Sequence, residues 1–204
     1  MKYYEEQDKI NIEKIRGILS ELPSFCKSFF YDIADYTSTR TRLAYAYDLK
    51  VFFEFLHKNN AYCRKMELTE IPVTVLERVT KDDILEYLDY ITLYDKDGRV
   101  IMNKERGKAR KIASLRSFYN YFFRAEKIEK NPASLIPVPK QHEKEIIRLE
   151  PQEVAILLEQ VEKGEKLTKS QLKYHKINKV RDIAILTLLL GTGIRVSECV
   201  GLNL

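Results

Sequence analysis

The chain has 204 residues, 45% hydrophobic and 32% charged, which allows one large or two small packed domains and excludes wholesale disorder. Seven glycines and six prolines are few, and abundant Leu, Lys, Glu, Ile and Tyr favour a mainly α protein. The net charge of +5 is mild but uneven: residues 1–36 carry five Lys/Arg against seven Asp/Glu, and residues 102–130 carry nine against three, as expected of a surface that meets phosphates.

Cys26, Cys63 and Cys199 are far apart with no CxxC pair, so neither a zinc site nor a disulfide framework is suggested, and a reducing cytoplasm fits. The N-terminus has no signal-peptide pattern. The longest strongly apolar stretch, Ile183–Leu190, is far too short to span a bilayer, so no membrane partner is expected.

In chain order, Ile12, Ile15 and Leu19 at helical spacing predict a first helix over Asn11–Ser20. Pro23 opens a second, containing Phe25, Phe29, Phe30 and Ile33. A third follows Thr41 as its N-cap, with Tyr45, Leu49, Phe52 and Leu56 as an apolar stripe. Residues 59–79 read as irregular. Thr80 precedes a helix whose Asp82 and Asp83 favour its first turn and whose Ile84, Leu88 and Ile91 face inward. A turn at Asp95–Arg99 leads to a long helix over Gly107–Glu126. Three prolines in NPASLIPVPK mark a linker over residues 131–147, dividing the chain into 1–130 and 148–204. Beyond it a helix starts near Pro151, residues 164–179 read as a polar loop or short helix, and Val180–Leu190 reads as a buried core helix.

The long helix combines two faces. Ile112, Leu115, Tyr119 and Phe122 form an apolar one; Arg110, Ser114, Ser117, Tyr121 and Arg124 form another, with Arg106, Lys108 and Lys111 near its start. Long cations beside short polar side chains suit a helix that enters a major groove. A second basic helix start carries Arg40, Thr41 and Arg42. A solvated helix face remains the alternative for each cluster.

At this point the chain resembles the tyrosine recombinases, the phage-integrase and Xer-type enzymes. TRLAYAYDLKVFFEFL, TKDDILEYLDYI and ARKIASLRSFYNYFFRAEKIEKNPASLIPVPK look like their core-binding domain, and RLEPQEVAILLEQ with VRDIAILTLLLGTGIRVSECVGLNL like the opening of their catalytic domain. The resemblance covers Tyr36–Leu204. It implies a helical, SAM-like core-binding domain followed by the helical start of a mixed α/β catalytic domain. It further implies a clamp on double-stranded DNA, strand cutting through a 3′-phosphotyrosine, chemistry that requires no metal or other cofactor, and a homo-tetramer on DNA. Residues 1–35 resemble the family least, and their helices pack on the core or on a neighbouring protomer.

By the same resemblance Arg195 is the first catalytic arginine and Glu198, at i+3, its support, while Arg181 and Asp182 are structural. Locally, Gly191 can end the apolar helix, Gly193 allows an unusual backbone angle, and Thr192 can cap a next helix with Arg195 in its first turn. The family's later groups do not follow. None of His57, His142 and His175 begins an HxxR, and Tyr174, the last tyrosine, precedes Arg195. The 204 residues are therefore expected to be a fragment that binds DNA without cutting it. A DNA-binding protein derived from a recombinase but working without catalysis, and a helical protein-interaction module, are the alternatives.

Overall fold

The computed structural model of the chain describes residues 3–96, 98–138 and 147–202. It is mainly α. Its residues fall into two compact units, one within Glu5–His142 and one within Glu143–Leu204. Of the linker expected over 131–147, residues 139–146 lie outside the described residues.

In the first unit, α1 (Tyr3–Ser20) buries Ile15, Ile18 and Leu19, so this least family-like segment packs on the unit's own core. Its outer turns are tied to α3 (Thr39–Asn59): Asp8 and Asn11 both meet Thr39, and Glu21 just beyond α1 meets Lys50. The short α2 (Cys26–Asp32) places Phe29 and Phe30 inside. The N-cap of α3 is Ser38, not Thr41. Ser38 Oγ accepts the Thr41 backbone N–H at 3.3 Å, which puts Thr41 at the third helical position.

Residues 60–79 turn through two 3-10 segments and α4 (Val75–Arg78), whose Val75 and Leu76 are fully buried. Thr80 caps α5 (Lys81–Tyr90) as the sequence suggests, in a reciprocal box with Asp83. The expected turn near Asp95 is the tip of an antiparallel hairpin, β1 (Leu93–Lys96) with β2 (Arg99–Met102). Four-residue strands carry too little alternation to be read from sequence. Gly98, at φ 74°, makes this turn while its N–H bonds Asp95 Oδ1 at 3.1 Å.

The helix α6 (Glu105–Arg124) runs through the middle of the unit. Phe118 meets Phe29 at 5.2 Å, Phe53 at 5.9 Å and Phe122 at 4.9 Å between ring centroids, all edge to face. Such pairs add to the area they bury. Beside these rings sits one ionic cluster. Asp48 of α3, 2% exposed, accepts from Lys111 Nζ at 2.9 Å and Ser114 Oγ at 2.7 Å, and from the Arg110 guanidinium. Three donors from two successive turns of α6 thus converge on one carboxylate of α3.

The second unit holds α7 (Pro151–Lys163), α8 (Lys169–Thr192) and the five-residue α9 (Val196–Val200). Residues 169–179, read as loop or short helix, are helical and form the first turns of α8, started by a Thr168–Gln171 capping box. The expectation of a buried core at Val180–Leu190 fails, since no residue of the three helices is buried and Val180 is 80% exposed. A helix that is apolar all round needs neighbours on every side, and within this unit α8 has mainly α7. Gly164 closes α7 at φ 69°, with a Cβ there reaching 2.9 Å from the His175 ring.

Breaking a buried ion pair from one side strands the other charge, at a cost of about 3–5 kcal/mol. Asp48→Ala is expected to destabilise the first unit by about this much in urea denaturation. Asp48→Leu combined with Lys111→Met should recover a large part of the loss.

Candidate nucleic-acid interface

The outward side of α6 lines an open groove of about 950 Å³, closed on one side by α2 and the residues after it. Along its floor run Arg106, Arg110, Ala113, Ser117, Asn120 and Arg124, spaced 4, 3, 4, 3 and 4, which is one face of a helix. Among the described residues Asp32 is the only carboxylate on its walls, and it accepts a 2.6 Å hydrogen bond from Tyr36. That bond to a carboxylate raises the Tyr36 phenol above its ordinary value.

The arginines differ in what they have left to give. Arg110 is engaged with Asp48 and half exposed. Arg116 donates to the carbonyls of Ala133 (3.2 Å) and Ile136, clamping the 3-10 turn Pro132–Leu135 onto α6. Arg106 and Arg124 have no ion-pair partner among the described residues. They stand at the two ends of the face, flanking small and polar side chains.

Several of the residues expected at a DNA surface lie elsewhere. Lys111 is 6% exposed and Ser114 is fully buried. Both spend their donors on Asp48, so neither faces solvent. Lys111 lies between the two faces seen in the sequence and Ser114 at the edge of the polar one, where a hydrophobicity pattern cannot separate buried polar from exposed polar. Lys108 points to the far side of α6, into a notch beside the hairpin with Leu88, Thr92, Met102 and Asn103. Arg40 and Thr41 are exposed in the turn before Ala44, whose carbonyl is 3.5 Å from Arg110. Arg42 is half-buried, and its Nε is buried without a hydrogen-bond partner. Arg124, on the polar face seen in the sequence, does line the groove, whereas Ala113 and Asn120 are additions that continuing the 4–3–4–3–4 spacing from Arg106 picks out.

In the second unit, Gly193 ends α8 at φ 68°, as its position suggests, while Gly191 is still helical. Thr192 is not the cap of α9; its hydroxyl donates back to Leu188 O at 2.6 Å and accepts the Ile194 backbone N–H at 3.4 Å. Arg195 is itself the N-cap of α9, with extended backbone at φ −73°, ψ 151°. Glu198 holds it twice, accepting the Arg195 backbone N–H at 2.8 Å and Nη1 at 3.0 Å. The guanidinium is otherwise 82% exposed, leaving most of its N–H fork available to an anion. Arg181 and Asp182 pair with each other at 2.8 Å. His57 bonds Met66 O at 3.0 Å and His175 bonds Val161 O at 2.7 Å, so both serve local structure; His142 lies outside the described residues. Tyr174 is an exposed residue of α8. Among the described residues no group of three His, Cys, Asp or Glu is placed to hold a metal ion, and no helix is long and apolar enough to cross a membrane.

Comparison with known proteins gives the family. The chain belongs to the tyrosine recombinase family. It is 35% identical over 174 residues to tyrosine recombinase XerC of Caldanaerobacter subterraneus subsp. tengcongensis, covering 82% of this chain and 44% of that protein. Tyrosine recombinase XerC of Chlorobaculum tepidum is 31% identical over 81% of this chain and 47% of its own, and that of Pediococcus pentosaceus 31% over 90% and 51%. The chain thus spans about half the length of the curated relatives it matches. No family model matches it, and no solved structure does.

The two hydrogen bonds from Arg195, the backbone one first, hold the Glu198 carboxyl below its ordinary value of 4.5. A carboxylate depressed in the folded state stabilises it above the unfolded pKa, and the contribution is lost as pH falls through the folded pKa. In an NMR titration the Glu198 carboxyl should therefore titrate below 4.5, with the amides of α9 shifting in step. The pair faces solvent, so high salt should move the midpoint back toward 4.5.

Proposed function

We propose that this chain is the DNA-binding part of a tyrosine recombinase, together with one cation of its phosphate-binding catalytic centre. The observation that carries the reading is the outward face of α6. Arg106 and Arg124, unpaired among the described residues, stand roughly 27 Å apart along the helix axis, at 1.5 Å per residue. That span exceeds a major groove about 12 Å wide, so both cations can hold phosphates while Ala113, Ser117 and Asn120 approach base edges. Exposed Arg40 and Thr41 at the start of α3 extend the same basic side near Arg110.

Arg195 does the second part of the work. Nucleophilic attack on a phosphodiester builds negative charge on the non-bridging oxygens. A fixed guanidinium aimed there stabilises the transition state more than the ground state. Glu198 takes two of the hydrogen bonds around Arg195 and thereby orients the remaining fork. These 204 residues contain no HxxR and no tyrosine after Arg195, so alone they bind DNA without cutting it. Assembly as a homo-tetramer on two DNA sites rests on the family resemblance alone. Action on cellular DNA places the protein in the cytoplasm, where the free thiols Cys26 and Cys63 stay reduced.

DNA affinity should fall steeply with salt, because each cation on a phosphate releases a counterion. Arg106→Ala and Arg124→Ala are each expected to lower the slope of log K against log salt by about 0.9. Arg110→Ala, whose charge Asp48 already offsets, should lower it less. A flat salt response in fluorescence anisotropy would count against the reading. A nicked suicide duplex should leave no covalent protein–DNA adduct with this chain on denaturing gels, and an adduct would overturn the expected inactivity.

A further inference from the structure

We infer that Asn120 reads a guanine in the major groove as a hydrogen-bond donor, its polarity fixed by Asn131; the inference rests on the DNA reading of α6 proposed above. The argument begins at a backbone group. Ser134 N–H donates to Asn131 Oδ1 at 3.2 Å, where Asn131 caps the 3-10 turn Pro132–Leu135. A backbone amide only donates, so the oxygen of Asn131 must face Ser134 and its Nδ2 must face the other way. That Nδ2 donates to Asn120 Oδ1 at 2.7 Å. The chain of bonds allows one orientation of each carboxamide. Arg116 secures its base by bonding the carbonyls of Ala133 and Ile136.

Asn120 is exposed on the floor of the α6 groove, between Ser117 and Arg124. Its Nδ2 donates to nothing among the described residues. An Asn free to orient prefers adenine, accepting from N6 and donating to N7. Asn120 has half of its oxygen already occupied and cannot turn over, so what it offers is chiefly its two Nδ2 protons. Guanine presents two adjacent acceptors, N7 and O6, at the major-groove edge. Adenine N7 and thymine O4 each offer one, and cytosine offers only a donor. The order of preference at the contacted position is guanine first and cytosine last.

The test is selection from a pool of randomised duplexes by the 204-residue chain, followed by sequencing and anisotropy on single-base variants. The wild type should favour guanine over cytosine at one position by about tenfold. Asn120→Asp, which can only accept, should reverse that ratio toward cytosine. Asn131→Ala frees the carboxamide and should bring adenine level with guanine, its fold being checked by circular dichroism. DNA binding with the same base preference in wild type and both variants overturns this inference and leaves the DNA reading intact. An Asn131→Ala preference identical to wild type overturns the role of Asn131. Failure of the wild type to bind any duplex would bring down the DNA reading, and this inference with it.

Discussion

The first unit is organised around a carboxylate that water does not reach. Asp48 has three donors from α6, two of them cationic. A buried carboxylate is tolerated only when its lone pairs are filled. Because the donors sit on consecutive turns, the contact fixes both the rotation of α6 about its axis and its register along α3. A rotation of one residue would expose Lys111 and leave Asp48 unpaired. The groove face is therefore a consequence of the buried one: with Lys111 and Ser114 turned inward, Arg106, Ser117, Asn120 and Arg124 must turn out.

This arrangement divides the positive charge of the helix into two kinds. Lys111, Arg110 and Arg116 are engaged in holding α3, α6 and the 3-10 turn together. Arg106 and Arg124 are unspent. Nine Lys/Arg between residues 102 and 130 overstate the charge available to a ligand, and composition cannot show the difference. The same logic applies to Arg195, most of whose fork stays open although Glu198 holds it.

Much of the helical framework was legible because its apolar residues recur at three and four residues. Phe52, Leu56, Ile84, Leu115 and Phe122 all lie where that period puts them. The Thr80 cap was legible from its acidic first turn. What escaped notice lacked a periodic signal: four-residue strands, a cap at Ser38 with equally plausible hydroxyls beside it, and a polar helix start before Val180. Lys111 and Ser114 escaped for another reason. A charged residue is read as exposed unless its partner is known, and that partner, Asp48, is more than sixty residues away. Asn120 was hidden similarly, since its polarity depends on Asn131 and Ser134.

The fully open flanks of α7 and α8 have a consequence for how the chain comes apart. The first unit has a continuous aromatic core, whereas no helical residue of the second is sealed from water. Cooperative melting requires that losing one contact exposes many others, and the second unit has few such contacts to lose. Its amides are expected to open in shallow local fluctuations, and those around Phe118 and Asp48 to exchange only with unfolding of their whole unit. A single melting temperature would thus describe the first unit and say almost nothing about the segment that carries Arg195.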